Sequence, residues 1–123
     1  EAAAELRQTL FDTLIFDMDQ TLRASGVGDL KVGPKLKVMG EAYYGRSKAY
    51  DDGLNSIERG ELRAALTRNL YGTTSAPSPA VLETIADYVY GAMRHLNNQN
   101  GSDLMAGKVE FVPVPEALKS EDR

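Results

Sequence analysis

The chain has 123 residues, 42% of them hydrophobic and 26% charged, and carries a net charge of −4. That is the composition of one globular domain rather than of a disordered segment. It holds no cysteine and a single histidine, His95, which excludes a disulfide scaffold, a thiolate or multi-histidine metal site and a thiol nucleophile.

Residues 1–24 read as one helix. Leu6, Leu10, Leu14, Met18 and Leu22 recur every four residues, and Phe11 and Ile15 widen the stripe. The pattern begins inside a helix with no cap before it, which predicts a fragment of a longer protein. Ser25 to Asp29 breaks the helix, with Gly26 suited to a left-handed C-terminal cap. Gly33-Pro34 predicts a second helix with Pro34 at its first position, where a missing N–H costs nothing. Leu36, Met39, Tyr43 and Tyr50 share one face of it, and Lys37, Glu41, Tyr44 and Lys48 another. Lys37 and Glu41 are spaced to pair. Asp51-Asp52-Gly53 is expected to end or bend this helix.

A third helix is expected from Ile57 to Leu70, with Leu62, Leu66 and Leu70 as its core line and Gly72 as its C-cap. A loop of small residues and prolines leads to Ser78-Pro79, a capping pair for the fourth helix. That helix runs to about Asn97 on Leu82, Ile85, Val89, Met93 and Leu96, and a short helical turn follows around Leu104 and Met105. Residues 109–115 alternate and carry prolines, so they are an extended edge at most. The expected fold is therefore all-α, a compact bundle of four main helices plus a short C-terminal helical turn and an extended tail. Residues 1–115 are expected to form one domain and 116–123 a charged, frayed tail. No apolar run approaches the roughly 18–20 residues of a membrane span, and no signal-peptide pattern opens the chain.

The charge is unevenly placed. Between Arg23 and Lys48 stand Arg23, Lys31, Lys35, Lys37, Arg46 and Lys48 against Asp29 and Glu41, a net +4, which leaves −8 for the rest. A basic block inside an acidic chain can meet an anionic partner in spite of the total.

Phe16-Asp17-Met18-Asp19-Gln20-Thr21 resembles the DxDxT nucleophile motif of haloacid-dehalogenase-like phosphatases. In that chemistry one carboxylate attacks phosphorus, the next is a general acid and magnesium sits between them. It requires a strand end, where residues i and i+2 point the same way. Here the four-residue period runs through the motif unbroken, and on a helix Asp17 and Asp19 stand about 200° apart. Asp19 is then expected in water beside Arg23, and Asp17 at the stripe's edge with a basic or backbone partner. The phosphatase is the alternative reading, together with a helical module binding RNA or lipid through the basic block. His95 reads as a surface residue near a helix C-terminus. The Gly26-Val27-Gly28 loop lacks a preceding strand, and five residues are expected between it and the next helix, which argues against a phosphate cradle. Met18, Met39, Met93 and Met105 read as core filler.

Several segments, in order, resemble one family. They are Leu10-Phe11-Asp12, Asp17-Met18-Asp19, Leu22-Arg23, Gly26-Val27-Gly28-Asp29-Leu30, Val32-Gly33-Pro34-Lys35 and Glu41-Ala42-Tyr43-Tyr44-Gly45-Arg46 with Ala49-Tyr50-Asp51. Residues 66–72 (LTRNLYG) and 104–111 (LMAGKVEF) continue the pattern. The chain is similar, over roughly residues 8 to 112, to the bacterial branch of the ubiquinol–cytochrome c chaperone family. Gln20-Thr21 and Ala24-Ser25 are local departures. The resemblance implies an all-helical, non-enzymatic assembly factor for the cytochrome bc complex (respiratory complex III), without a cofactor. Its implied client is newly made cytochrome b. A small partner protein or the ribosome, as in mitochondrial relatives, and a peripheral membrane contact are further implied partners. The implied location is peripheral to the inner membrane, on the cytoplasmic side in a bacterium or in the matrix of a mitochondrion.

Within the basic block, Lys35, Lys37, Tyr44, Arg46 and Lys48 are the candidate client-binding residues, since Tyr and Arg are enriched at interface hot spots. Gly26, Gly28 and Asp29 are the candidate structural loop. The competing reading makes Tyr43 and Tyr50 core, pairs Arg46 with Asp17 or Asp29, and leaves the lysines to solvate the surface.

Overall fold

The computed structural model describes residues 1–118, and among these the regular structure is helical throughout, as the periodicity requires. The elements are α1 (Ala2–Ala24), α2 (Asp29–Asn55), α3 (Arg59–Leu70), α4 (Pro79–Asn97), the short α5 (Gly101–Met105) and a 3-10 turn at Glu116–Leu118. They group into two compact units, Glu1–Gly45 and the chain from Arg46 onward, and α2 contributes to both. The expectation of a frayed tail falls on residues 119–123, outside the described residues.

In the first unit α1 ends where glycine permits. Gly26 takes φ +95°, its N–H donates to the Arg23 carbonyl at 3.1 Å, and the Val27 N–H donates to the Leu22 carbonyl at 3.0 Å. These two bonds make a Schellman motif and satisfy carbonyls that the helix end would leave open. α2 then begins at Asp29, directly after the loop. Pro34 is therefore not the first helical residue, as the Gly33-Pro34 pair suggested, but lies in the second turn. There it deprives the Leu30 carbonyl of its N–H donor, and the exposed Leu30 leaves that carbonyl open to water. The chain folds back so that the Phe11 ring meets Tyr43 at 5.3 Å and Tyr44 at 5.2 Å. Val32 is fully buried, whereas α1 buries no residue completely. Leu10 is 61% exposed, and Leu14 is exposed too, so the α1 stripe is only partly a packing face.

The second unit carries the hydrophobic core. Leu62 and Leu66 of α3 and Ala86 of α4 are buried, with Tyr50, Leu54, Leu82, Ile85, Val89 and Tyr90 packed around them. Leu70, expected on the same core line, is exposed, and Ile57, expected to open α3, is fully exposed ahead of it. Asp51-Asp52-Gly53 neither ends nor breaks α2, which runs on to Asn55. Gly53 is a contact residue instead. It is buried, and a Cβ there would lie 2.7 Å from the Leu62 Cα. The Tyr90 hydroxyl donates to the Gly53 carbonyl at 3.3 Å.

Gly72 likewise serves close approach rather than a left-handed cap. Tyr71 is the cap residue, and a side chain at 72 would strike the Arg68 carbonyl oxygen. Charges tie α3 to α4. Arg59 donates to Glu83 at 2.6 Å and to Asp87 at 2.5 Å, its guanidinium lies 4.8 Å from the Tyr90 ring centre, and Arg63 also pairs with Glu83. The hydrogen bond from Arg59 to Asp87 chiefly, then the nearby carboxylates, push the Arg59 guanidinium further toward its charged form.

α4 starts as its sequence foretells, with the Ser78 hydroxyl accepting from the Val81 N–H and Pro79 in the first turn. The Asn100 side chain caps α5 by accepting from the N–H groups of Ser102 and Asp103, and Gly107 at φ +82° closes it. Gln99 exchanges two hydrogen bonds with the Glu110 backbone, at 2.7 and 2.9 Å, and pins the irregular segment that follows α5. That segment is not a strand, in keeping with its prolines.

Candidate functional site

Gly26, Gly28 and Asp29 hold the turn between α1 and α2. Gly26 needs its positive φ, and the Gly28 carbonyl accepts from the Lys31 N–H at 2.9 Å to start α2. Asp29 stands in the first turn of α2, where a carboxylate meets the positive end of the helix dipole. Arg23 reaches from the last turn of α1 to Asp29, and holds Asp19 at 2.6 Å. Both acids favour the guanidinium, Asp19 most strongly through its hydrogen bond, so Arg23 is driven further toward its charged form. Asp29 is thus spent on Arg23, which corrects the expectation that Arg46 holds it.

The five client-binding candidates are all on α2 but fall in both units. In the first unit, Lys35 and Lys37 are exposed, and Tyr44 is 59% exposed. Tyr44 stacks obliquely on Phe11 and meets Tyr43 edge-on at 5.6 Å. Tyr43 is exposed as well, so it is not the core residue that the competing reading makes it. The partner ring, Phe11, was hidden in the sequence as one more member of the α1 stripe. Lys37 and Glu41 do not pair, although their spacing allows it. In the second unit, Arg46 is exposed, and among the described residues it has no ion-pair partner. Lys48 donates to Asp52 at 2.7 Å one turn on, and that hydrogen bond raises its pKa above the ordinary lysine value. Tyr50 is half-buried against the core of this unit.

The +4 block is therefore smaller in space than in sequence. Arg23 is balanced by two carboxylates and Lys48 by one, and the cations left unpaired among the described residues are Lys31, Lys35, Lys37 and Arg46.

Asp17 and Asp19 both lie on α1, two residues apart on a helix, so they diverge. Asp19 is engaged by Arg23. Asp17 is exposed, and its carboxylate finds no basic partner among the described residues, contrary to expectation. The nucleophile geometry of the phosphatase reading is absent from this pair. The helix after the Gly26-Val27-Gly28 turn follows directly rather than five residues later, but a helix, not a strand, precedes it. No described helix is long and apolar enough to cross a membrane.

Comparison with known proteins gives one consistent result. The sequence model of a family described as ubiquinol-cytochrome C chaperone matches residues 1–111. The ubiquinol-cytochrome c reductase complex assembly factor 1 of Mus musculus is 32% identical over 101 residues, covering 81% of this chain and 34% of the relative. The Homo sapiens protein of the same name is 31% identical, covering 81% and 33%. That of Xenopus laevis is 31% identical, covering 81% and 50%. The chain thus spans a third to a half of the length of these relatives. No solved structure matches it.

Proposed function

The chain belongs to the ubiquinol–cytochrome c chaperone family, and we propose that it acts as a non-enzymatic assembly chaperone for the cytochrome bc complex, holding newly made cytochrome b. The observation that carries this reading is the family match over residues 1–111 together with relatives named for assembly of the ubiquinol–cytochrome c reductase complex. Residues 1–115 would carry the role, from a position peripheral to the inner membrane. A small partner protein or the ribosome would be further contacts.

In the first unit Tyr44, with Lys35 and Lys37, is the proposed client contact. An exposed ring steadied by Phe11 and Tyr43 is a rigid anchor that loses little freedom on binding. Arg46, and Lys48 with its charge already matched by Asp52, are proposed contacts of the second unit.

The test is affinity isolation of the tagged protein from cells making labelled cytochrome b. Co-isolation that falls at least fivefold in Tyr44→Ala, with an unchanged helical spectrum, supports the reading. Failure of the wild-type protein to retain cytochrome b contradicts it.

A further inference from the structure

We propose that the first turns of α2, from Leu30 to Val38, are a docking surface for an anionic membrane. Leu30, Pro34 and Val38 would enter the headgroup layer, while Lys31, Lys35 and Lys37 meet its phosphates. Leu30 is 93% exposed and Val38 is 64% exposed. With Pro34 they recur every four residues, so they form one strip about 12 Å long. At about 100° per residue, Lys37 lies on one flank of that strip and Lys31 and Lys35 on the other. All three lysines are exposed and make no ion pair among the described residues. A shallow, largely apolar depression lined by Leu22, Pro34, Lys35, Val38 and Met39 adjoins the strip.

Of the nearby acids, Asp29 is held by Arg23, and Glu41, one turn past Val38 on the same face, sets the limit of the strip. An apolar strip with lysines along both edges is the pattern of a helix lying in a membrane interface, with its lysine stems reaching up to the headgroups.

A bilayer suits the strip better than a protein does. Six side chains are far fewer than the roughly 20–30 residues per side of a stable protein interface. The strip holds no aromatic or Arg anchor of the kind that dominates protein hot spots. Lysine, a point charge on a flexible stem, suits a fluid layer of phosphates where arginine's planar fork suits a fixed carboxylate.

The inference rests on the membrane-peripheral position proposed above and names its surface and lipid charge, with Lys35 and Lys37 turned to the membrane rather than to the client. It is tested with purified protein and lipid alone, by co-sedimentation with vesicles of phosphatidylcholine, or of phosphatidylcholine and phosphatidylglycerol in equal parts. The expected result is binding to the anionic vesicles only, weakening as salt is added. Replacing Lys31, Lys35 and Lys37 together by Gln should lower the partition coefficient about a hundredfold, near fivefold per lysine. Leu30→Gln with Val38→Gln should lower it at least tenfold. Because the chain contains no tryptophan, Leu30→Trp supplies a lone reporter whose emission should shift to the blue with anionic vesicles.

No binding to anionic vesicles, equal binding to neutral ones, or full binding by the triple lysine variant would each overturn the proposal. So would loss of cytochrome b capture in Leu30→Gln/Val38→Gln without any vesicle binding by the wild type, which would make the strip a protein interface. A protein that supports complex assembly but ignores vesicles refutes the lipid surface alone. One that binds vesicles while its deletion leaves the complex intact refutes the chaperone reading alone.

Discussion

Gly53→Ala should destabilise the protein although it puts a better helix former inside a helix. Elsewhere in a helix the exchange gains roughly 0.5–1 kcal/mol. At position 53 the new Cβ would stand 2.7 Å from the Leu62 Cα and 2.9 Å from its N. These are backbone atoms that cannot swing aside, so α2 and α3 must part by roughly half an ångström or more, which forfeits a share of the dispersion contacts around Leu62. Leu62 is fully buried and central to the core cluster, where overpacking costs typically about 1–3 kcal/mol. The hydrogen bond from Tyr90 to the Gly53 carbonyl, already 3.3 Å long, would stretch as well. The net expectation is a loss of about 1–2 kcal/mol and a fall in Tm of about 3–8 °C. Gly91, inside α4 with nothing within 4 Å of its would-be Cβ, is the matched control, and Gly91→Ala should gain about 0.5–1 kcal/mol. Thermal and urea unfolding followed by far-UV circular dichroism reads both. A Gly53→Ala protein as stable as Gly91→Ala would refute the close approach of α2 to α3.

Gly26→Ala should cost about 1–2 kcal/mol, because φ +95° forces the new Cβ against the backbone; equilibrium unfolding measures it, and no loss would argue against the Schellman turn. Ser78→Ala should cost about 1 kcal/mol through the lost cap on Val81, with Ser78→Asp close to wild type, both read by urea unfolding. Arg59→Met, which keeps the aliphatic stem but loses the pairs with Glu83 and Asp87 and the stacking on Tyr90, should lower Tm, and added salt should shrink its difference from wild type.

What the sequence made legible follows from what each signal encodes. α4 was readable at both ends and along its face, because Ser78-Pro79 is a local capping chemistry and its apolar positions face a real neighbour. The α1 stripe was readable as a period, but a period identifies an apolar face without saying what covers it, and Leu10 and Leu14 stay exposed. Pro34 misled because proline is cheap at the first helical position, yet it is tolerated in the second turn, where it removes one bond at an exposed face. Gly53 misled for the opposite reason. A glycine after two aspartates resembles a helix stop, whereas its cause is the backbone of α3, nine residues further on in sequence.

The candidate site was legible in part. Tyr44 was picked out, but its support by Phe11 depends on how α1 and α2 fold back, which spacing alone does not reveal. The basic block was legible as charge, and only the ion pairs of Arg23 and Lys48 show how much of it is already balanced. The strip of Leu30, Pro34 and Val38 is not legible in the sequence, because Gly33-Pro34 predicts a helix start at Pro34 whereas α2 begins at Asp29.

The most direct measurement is the amount of assembled cytochrome bc complex in membranes of a strain lacking this protein, read by native electrophoresis and the haem b spectrum. The expected result is loss of the assembled complex, restored by the wild-type gene. Normal levels of the complex and of haem b in the deletion strain would contradict an assembly role.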